Sequence, residues 1–193
     1  MKLYYAPGAC SLASHIALIE SGEDYEKTRV DLGEHKTEDG RDFYEISPRG
    51  YVPAIETEDM GLLTENPAVL TYIANHTTDR DNHADHYKRL EWLGFIGTEI
   101  HGSFGPLFGG ADGKANDDAK AKVADKFALA ETLMGGRDWL VGNGPGVADN
   151  YLFVTTLWAD KFGIDLPKSL EAFRARNLER PAVKQAMAEE SLD

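Results

Sequence analysis

The sequence contains very little cysteine. Its 193 residues include a single one, Cys10. Without a second cysteine, the chain cannot close an internal disulfide or build a cysteine-rich metal site. Any thiol that reacts with Cys10 must therefore come from another molecule.

Long apolar runs and an excess of positive charge are also missing. No run approaches the roughly 20 apolar residues needed to span a bilayer, and Met1–Tyr5 leads into patterned sequence rather than a signal peptide. Acidic residues outnumber basic ones by 33 to 20, which gives a formal net charge of −13 and repels nucleic acids and anionic membranes. We therefore expect a cytoplasmic protein that binds neither nucleic acid nor membrane.

The first part of the chain has the pattern of a mixed α/β domain, which we place at residues 1–78. Two segments with apolar residues at helical spacing, Leu12–Glu20 and Glu65–Asn75, predict helices. Short apolar runs between turns predict four strands, at Lys2–Tyr5, Tyr25–Asp31, Ala54–Glu58 and Gly61–Leu63. The expected arrangement is a mixed four-stranded sheet with helices.

The second part predicts helices only. The polar stretch Asn75–Asn82 marks a boundary, and we expect a linker at residues 79–86 and an all-helical domain at residues 87–193. A loop is predicted where Gly105, Pro106, Gly109, Gly110 and Gly113 cluster. Helices are predicted at Tyr87–Ile100, Asp117–Met134, Ala148–Phe162, Leu170–Asn177 and from Pro181 onward.

Cys10 stands where the first strand ends and the first helix begins. A sulfur in the first turn of a helix lies near the positive end of the helix dipole and near unpaired N–H groups, which favour a thiolate over a thiol. Such a site can hold either the sulfur anion of Cys10 itself or that of another molecule.

Two further segments suggest ligand contacts. Pro53 opens a predicted strand, so it belongs either on a sheet edge or after a cis bond, and the cis bond would leave the Val52 backbone free to pair with a peptide-like ligand. Glu65 and Asn66 stand at the start of a predicted helix. They are expected either to cap that helix or to hold a ligand that carries an amine and a carboxylate.

The histidines give weaker signals. His101 follows the apolar stripe of its helix, so it faces either a core or a cleft. His15 is expected to pack or to hydrogen-bond locally. His76, His83 and His86 lack further ligands at convincing spacing, so we predict no metal site.

Taken together, these segments resemble the beta class of bacterial glutathione S-transferases along the whole chain. The resemblance rests on Tyr5, Pro7–Ser11, Gly50–Ala54, Leu63–Asn66, Glu91–Leu93, Thr98–His101, Pro106–Phe108 and Val147–Phe153. It implies an N-terminal thioredoxin-like domain, a C-terminal helical bundle domain and a homodimer whose active sites lie in clefts between the domains. Glutathione would be a co-substrate, and no other cofactor is implied.

The resemblance also assigns roles to single residues. Cys10 corresponds to the cysteine that lies against the glutathione sulfur, with Ser11 and Tyr5 as neighbouring hydroxyls. Val52, before a cis Pro53, would pair with the cysteinyl part of glutathione. Glu65 and Asn66 would hold the amine and carboxylate of the γ-glutamyl group. His101 would approach the glutathione thiol from the helical domain, and Thr98 would lie close to the ligand across the cleft.

Several positions depart from the family pattern, namely His35 with Lys36, Asn66, Gly94 and Gly146, and the first of them bears most directly on glutathione binding. Where a lysine commonly meets the glycyl carboxylate, this sequence has His35 followed by Lys36. Charge pairing there depends either on protonation of His35 or on Lys36 reaching the carboxylate, and weaker glutathione binding is expected.

The function implied by the resemblance is activation of the glutathione thiol for conjugation to small apolar electrophiles, a detoxification reaction. Glutathione-dependent reduction of disulfides or peroxides through Cys10 is a close variant. Two alternatives remain open: a non-catalytic carrier or protein-docking module with this fold, and a glutaredoxin-like oxidoreductase.

Overall fold

The computed structural model describes residues 1–77 and 83–192. These residues form two compact units. One comprises Met1–Asp81 together with Arg180–Asp193, and the other comprises Asn82–Glu179. The first is a mixed α/β unit and the second is helical, so the predicted thioredoxin-like and all-helical classes are confirmed.

The first unit is built on a five-stranded mixed sheet. Its strands are β1 (Lys2–Tyr5), β2 (Glu26–Asp31), β3 (Lys36–Thr37), β4 (Ala54–Thr57) and β5 (Gly61–Thr64), in the order β3-β2-β1-β4-β5. Strand β1 runs parallel to β2 and antiparallel to β4, with Leu3 opposite Lys27 and Ile55. The predicted sheet had four strands. The additional strand, β3, has two residues on one edge, too few to show an alternating pattern in the sequence.

Four helices complete this unit: α1 (Ser11–Ser21), α2 (Phe43–Ile46), α3 (Asn66–Thr77) and α9 (Pro181–Glu189). Helix α1 is buried from Ser11 to Leu18 and packs against both α3 and α9. It ends at Gly22, whose φ of 69° gives the left-handed conformation typical of a helix C-terminus. The buried position of α1 fixes the residue that precedes it, Cys10.

Helix α9 belongs with the sheet rather than with the other C-terminal helices. We predicted a helical domain at residues 87–193, whereas the compact division returns Arg180–Asp193 to the first unit. Val183 and Ala186 are fully buried there, and Glu189 and Glu190 reach His15 on α1. An amphipathic helix pattern does not reveal which unit the apolar face covers.

The second unit contains α4 (His83–Phe95), a π-helix (Ile96–Ile100), a 3-10 helix (His101–Phe104), α5 (Gly105–Phe108), α6 (Gly113–Met134), α7 (Val147–Phe162) and α8 (Lys168–Leu178). Two predictions for this region differ from the structure. Residues 83–86 of the predicted linker form the first turn of α4, while residues 79–82 lie outside the described residues. The predicted glycine-rich loop begins with the helical turn α5, in which Pro106 occupies a first-turn position that tolerates proline.

Helix α7 runs through the core of this unit and is buried along most of its length. Asp149 fixes its start, as the sequence predicted. The buried Asp149 carboxylate accepts the N–H of Gly146 at 2.9 Å and the N–H of Leu140 at 2.9 Å. These two hydrogen bonds fix the N-terminus of α7 and so the positions of its side chains. Among the described helices, none has both the length and the apolar composition required to cross a membrane.

Candidate active site

Cys10 occupies the position directly before α1, inside a tight turn that links β1 to the helix. The N–H of Leu12 donates to the carbonyl of Ala9, and that of Ala13 donates to the carbonyl of Cys10. The Cys10 thiol donates to the carbonyl of Val52 at 3.2 Å. The side chain is only 9% exposed. The structure therefore joins two segments that the sequence separates by 42 residues.

The electrostatics at Cys10 oppose one of the two uses we expected. Burial raises the pKa of the Cys10 thiol to about 12, although the backbone N–H groups of Cys10 and Ser11 act in the opposite direction. The carboxylate of Glu65 raises the pKa further. We expected the helix start to stabilise the anion of Cys10 itself. In the ligand-free protein this expectation is wrong, because desolvation changes the thiol pKa more than the N–H groups do.

Ser11 and Tyr5 have structural partners. The Ser11 hydroxyl is fully buried, accepts the N–H of Ala6 at 3.1 Å and lies 3.3 Å from the Ala6 carbonyl. The ring of Tyr5 packs against His15 with 5.8 Å between centroids, and burial raises its pKa. Both residues brace the strand and turn that carry Cys10.

The segment Gly50–Pro53 lies next to Cys10, and its Val52–Pro53 peptide bond is cis. Of the two sequence alternatives, the cis bond is the confirmed one. Gly50 has a φ of 66°, and a Cβ atom on it would lie 2.7 Å from a ring carbon of Tyr44 and 2.9 Å from Nδ1 of His35. Only glycine fits this approach without a shift of its neighbours.

Glu65 precedes α3 with a φ of 70°, a conformation that non-glycine residues rarely adopt. Its carbonyl accepts the N–H groups of Ala68 and Val69 at 2.9 Å, so the backbone, rather than the side chain, begins the helix. The carboxylate is paired with the guanidinium of Arg49 and is largely exposed. Arg49 was not predicted as part of the site, and its position beside Gly50 gave no signal of this contact.

Asn66, the first residue of α3, turns its side chain toward α1. The Asn66 amide N–H donates to the carbonyl of Cys10 at 3.0 Å, and its amide oxygen accepts the hydroxyl of Ser14 at 2.8 Å. The residue is only 5% exposed. Its side chain therefore fixes the Cys10 turn, and its backbone N–H, at the first position of a helix, is the group left for an anion.

His35 and Lys36 lie at the sheet edge formed by β3. The imidazole of His35 stacks on Tyr44 with 4.5 Å between centroids, and Nδ1 is buried without a hydrogen-bond partner. Nδ1 faces Gly50, which leaves Nε2 as the nitrogen directed away from that glycine. Lys36 is exposed on β3.

His15 is buried and packs against Tyr5 and Tyr25, which is one of the two alternatives predicted for it, but its hydrogen bonds are not local. Its Nδ1 lies 2.9 Å from a Glu190 oxygen and its Nε2 lies 3.1 Å from a Glu189 oxygen. The second oxygen of Glu190 accepts the N–H of Gly8 at 2.9 Å. Residues that end α9 thus hold both α1 and the turn before Cys10, a link that no sequence pattern indicated.

In the helical unit, His101 opens the 3-10 helix that follows the π-helix. Its Nδ1 lies 2.7 Å from the hydroxyl of Tyr151, and its ring packs edge-on against Trp158 with 4.8 Å between centroids. Burial lowers the pKa of His101, so the imidazole is neutral near pH 7. Thr98, within the π-helix, is exposed, and its hydroxyl donates to the carbonyl of Gly94 at 3.0 Å.

In the described part of the chain, the histidine, cysteine and carboxylate side chains do not suggest a metal centre. Within residues 1–77 and 83–192, no three histidine, cysteine or carboxylate side chains are grouped so that they could hold a metal ion. His76 instead stacks on Tyr72, and His83 and His86 contact Tyr87.

Comparison with known proteins agrees with the fold. Residues 1–75 match the glutathione S-transferase N-terminal domain and residues 85–181 match the C-terminal domain. Glutathione S-transferase GstA of Escherichia coli O157:H7 is 38% identical over the full length of both chains.

Solved structures give the same answer. A sphingomonad glutathione S-transferase complexed with glutathione is 41% identical, with a TM-score of 0.93 and complete coverage of both chains. A beta class glutathione S-transferase of Sphingomonas chungbukensis is 37% identical, with the same TM-score and coverage. The resemblance predicted from the sequence is confirmed, and the chain belongs to the glutathione S-transferase family.

Proposed function

We propose that this protein binds glutathione, stabilises its thiolate and transfers it to electrophilic carbon in small apolar substrates. The observation that carries the proposal is the hydrogen bond between the thiol of Cys10 and the carbonyl of Val52, the residue before cis Pro53. A sphingomonad glutathione S-transferase with 41% identity over the full chain has a solved structure in complex with glutathione.

The chemistry requires a site that stabilises a foreign sulfur anion. Lowering a thiol pKa by two units corresponds to about 2.7 kcal/mol in favour of the thiolate. The N–H groups at the start of α1 can supply part of this. Cys10 itself remains a neutral thiol, and in this role it donates to the glutathione sulfur rather than attacking the electrophile.

The other contacts follow the tripeptide. The Val52 backbone, held before Pro53, pairs with the cysteinyl residue, while Glu65 and the N–H of Asn66 receive the γ-glutamyl amine and carboxylate. Glu65 is suited to the amine because its exposed carboxylate is oriented by the guanidinium of Arg49. The glycyl carboxylate is received by His35 through Nε2, or by Lys36.

The family resemblance also assigns contacts with glutathione to His101 and Thr98 of the helical unit. His101 is neutral, so one of its ring nitrogens carries a proton that can be donated in a hydrogen bond to the glutathione thiolate. Thr98 presents an exposed hydroxyl for a polar contact.

Thiol–disulfide exchange through Cys10 is a second candidate. The observation in its favour is the position of Cys10 at a helix start, where a mixed disulfide with glutathione would lie along the same N–H groups. A buried, protonated sulfur slows this exchange, because the thiolate is the attacking species.

We also propose that the protein acts as a homodimer in the cytoplasm and detoxifies apolar electrophiles. These points rest on the family alone. Size-exclusion chromatography with light scattering tests the dimer, and fractionation of cells that express the protein tests the location.

The function is tested by combining a binding measurement with a rate measurement. Calorimetry should show glutathione binding, and a chlorodinitrobenzene assay should show conjugation that depends on both protein and glutathione. Binding without turnover on halogenated aromatics, epoxides or disulfides would favour the ligand-carrier alternative. Absence of binding would refute the proposal.

The role of each sulfur-facing residue has its own test. Cys10→Ala should abolish the mixed disulfide seen by mass spectrometry after treatment with oxidised glutathione, while conjugation persists. His101→Ala should raise the pKa of bound glutathione, measured by thiolate absorbance against pH. An unchanged value would remove His101 from the mechanism.

A further inference from the structure

The imidazole of His101 is held between two side chains of one helix. Tyr151 and Trp158 are seven residues apart on α7, so they lie two turns apart on the same face. Trp158 contacts the ring edge-on at 4.8 Å, and the Tyr151 hydroxyl lies 2.7 Å from Nδ1. Tyr151 is itself 2% exposed.

The backbone around His101 is also constrained. The His101 N–H donates to the carbonyls of Ile96 and Gly97 at the end of the π-helix. A π-helix has more residues in each turn than an α-helix, and short π-helical segments are frequent at functional sites. The segment fixes the direction in which the His101 side chain leaves the backbone.

A neutral imidazole has two tautomers, and its hydrogen bonds select between them. A phenol is a good donor and a weak acceptor, whereas an unprotonated ring nitrogen is a good acceptor. At 2.7 Å, the favoured arrangement is therefore O–H of Tyr151 donating to Nδ1 of His101. The ring proton then resides on Nε2.

We propose that Tyr151 is a positioning residue that locks His101 in the Nε2–H tautomer by donating its hydroxyl proton to Nδ1. The consequence for function rests on the proposed role of His101 toward glutathione. With the proton on Nε2, the imidazole presents an N–H donor from its outer nitrogen, the form suited to stabilising a thiolate by hydrogen bonding.

The direct test is the imidazole ¹⁵N spectrum of the full-length protein. In the wild type, the His101 signals, assigned by their loss in His101→Ala, should report a proton on Nε2 and an acceptor at Nδ1. In Tyr151→Phe, which removes only the hydroxyl, we expect both signals to move toward the values of a tautomer mixture. A proton on Nδ1 in the wild type, or a spectrum that Tyr151→Phe leaves unchanged, would overturn the inference.

Tyr4→Phe is the matched control. Tyr4 is a fully buried ring in the other unit, whose hydroxyl donates to Glu56 at 3.1 Å. Its loss removes the same chemical group but should leave the His101 signals in place. A shift of those signals in Tyr4→Phe as large as in Tyr151→Phe would show a general effect of hydroxyl loss and would overturn the inference as well.

Kinetics separate this inference from the proposed function. Tyr151→Phe should lower kcat about tenfold, since one hydrogen bond of about 1 to 1.5 kcal/mol is lost, with the KM for glutathione nearly unchanged. In a His101→Ala background the same substitution should cost nothing further. If His101→Ala is fully active, the proposed role of His101 fails, while the spectrum still decides the tautomer.

Discussion

The Cys10 thiol lies 3.2 Å from the carbonyl oxygen of Val52 and donates to it. This contact closes the turn before α1 onto the segment that carries the cis peptide bond. The thiol proton is therefore used in a hydrogen bond within the protein. In the ligand-free protein the sulfur is both buried and protonated.

We predict that Cys10 reacts slowly with alkylating agents. Because its pKa is raised to about 12, the reactive thiolate is scarce at neutral pH, and its fraction should rise about tenfold with each pH unit through pH 9. Iodoacetamide labelling followed by mass spectrometry measures this. The urea-unfolded chain is the control and should level off above its ordinary pKa of about 8.5. A plateau near pH 7 in the folded protein would contradict the raised pKa.

Asn66→Ala should destabilise the first unit. The substitution leaves the carbonyl of Cys10 and the hydroxyl of Ser14 without their buried partner, which typically costs about 1 to 3 kcal/mol. Urea unfolding gives this value, and the KM for glutathione should rise because the Cys10 turn loosens. Asn143→Ala, at an exposed position, is the control and should unfold like the wild type. Equal stability of both variants would argue against the bridging role of Asn66.

The carboxylate of Glu189 should make stability sensitive to acid. The Lys27 ammonium, helped by Gln185, lowers the pKa of Glu189 from 4.5 to about 2. The ionised form is therefore stabilising above pH 4.5, and this contribution is lost as the pH falls from 4.5 toward 2. Glu189→Gln should be less stable than the wild type at pH 7 by about 1 kcal/mol, and the difference should shrink below pH 4.5.

Denaturant unfolding across this pH range is the appropriate measurement. Glu23→Gln, an exposed carboxylate after α1, serves as the control and should show little difference at any pH. A Glu189→Gln deficit that stays constant down to pH 3 would show that the ion pair is not its source.

His35→Ala and Lys36→Ala decide which side chain meets the glycyl carboxylate. His35 is held in place by its stack on Tyr44, whereas Lys36 is exposed, so we expect His35→Ala to weaken glutathione binding more. Loss of one charge-assisted hydrogen bond corresponds to roughly tenfold or more in Kd. Calorimetry with intact glutathione measures this change, and glutathione lacking its glycine is the control ligand. The reverse order of the two variants would assign the carboxylate to Lys36.

Much of the fold was predictable because its patterns are local. The strand at Lys2–Tyr5 is reproduced to the residue, and α1 and α7 begin within one residue of the predicted starts. Periodicity and turn residues carry this information directly. Edge strand β3 and the short helix α2 were missed because segments of two and four residues show no period.

The site residues were predicted from the family pattern, which did not indicate their partners in the fold. The amide of Asn66 bonds to a carbonyl 56 residues earlier, and His101 meets Tyr151 across 50 residues. Such pairings arise from tertiary packing. Burial, which reverses the expected pKa shift of Cys10, is likewise a property of the folded chain.

The return of α9 to the first unit has a consequence for how this protein is built. The N–H of Gly8 donates to the carboxylate of Glu190, 182 residues later in the chain, and Leu192 packs against the same glycine. During synthesis, the residues of the Cys10 turn therefore leave the ribosome long before the C-terminal residues that contact this turn. An excised fragment of residues 1–81 would lack that carboxylate and both carboxylate partners of the buried His15 imidazole, so this unit is incomplete without residues 180–193.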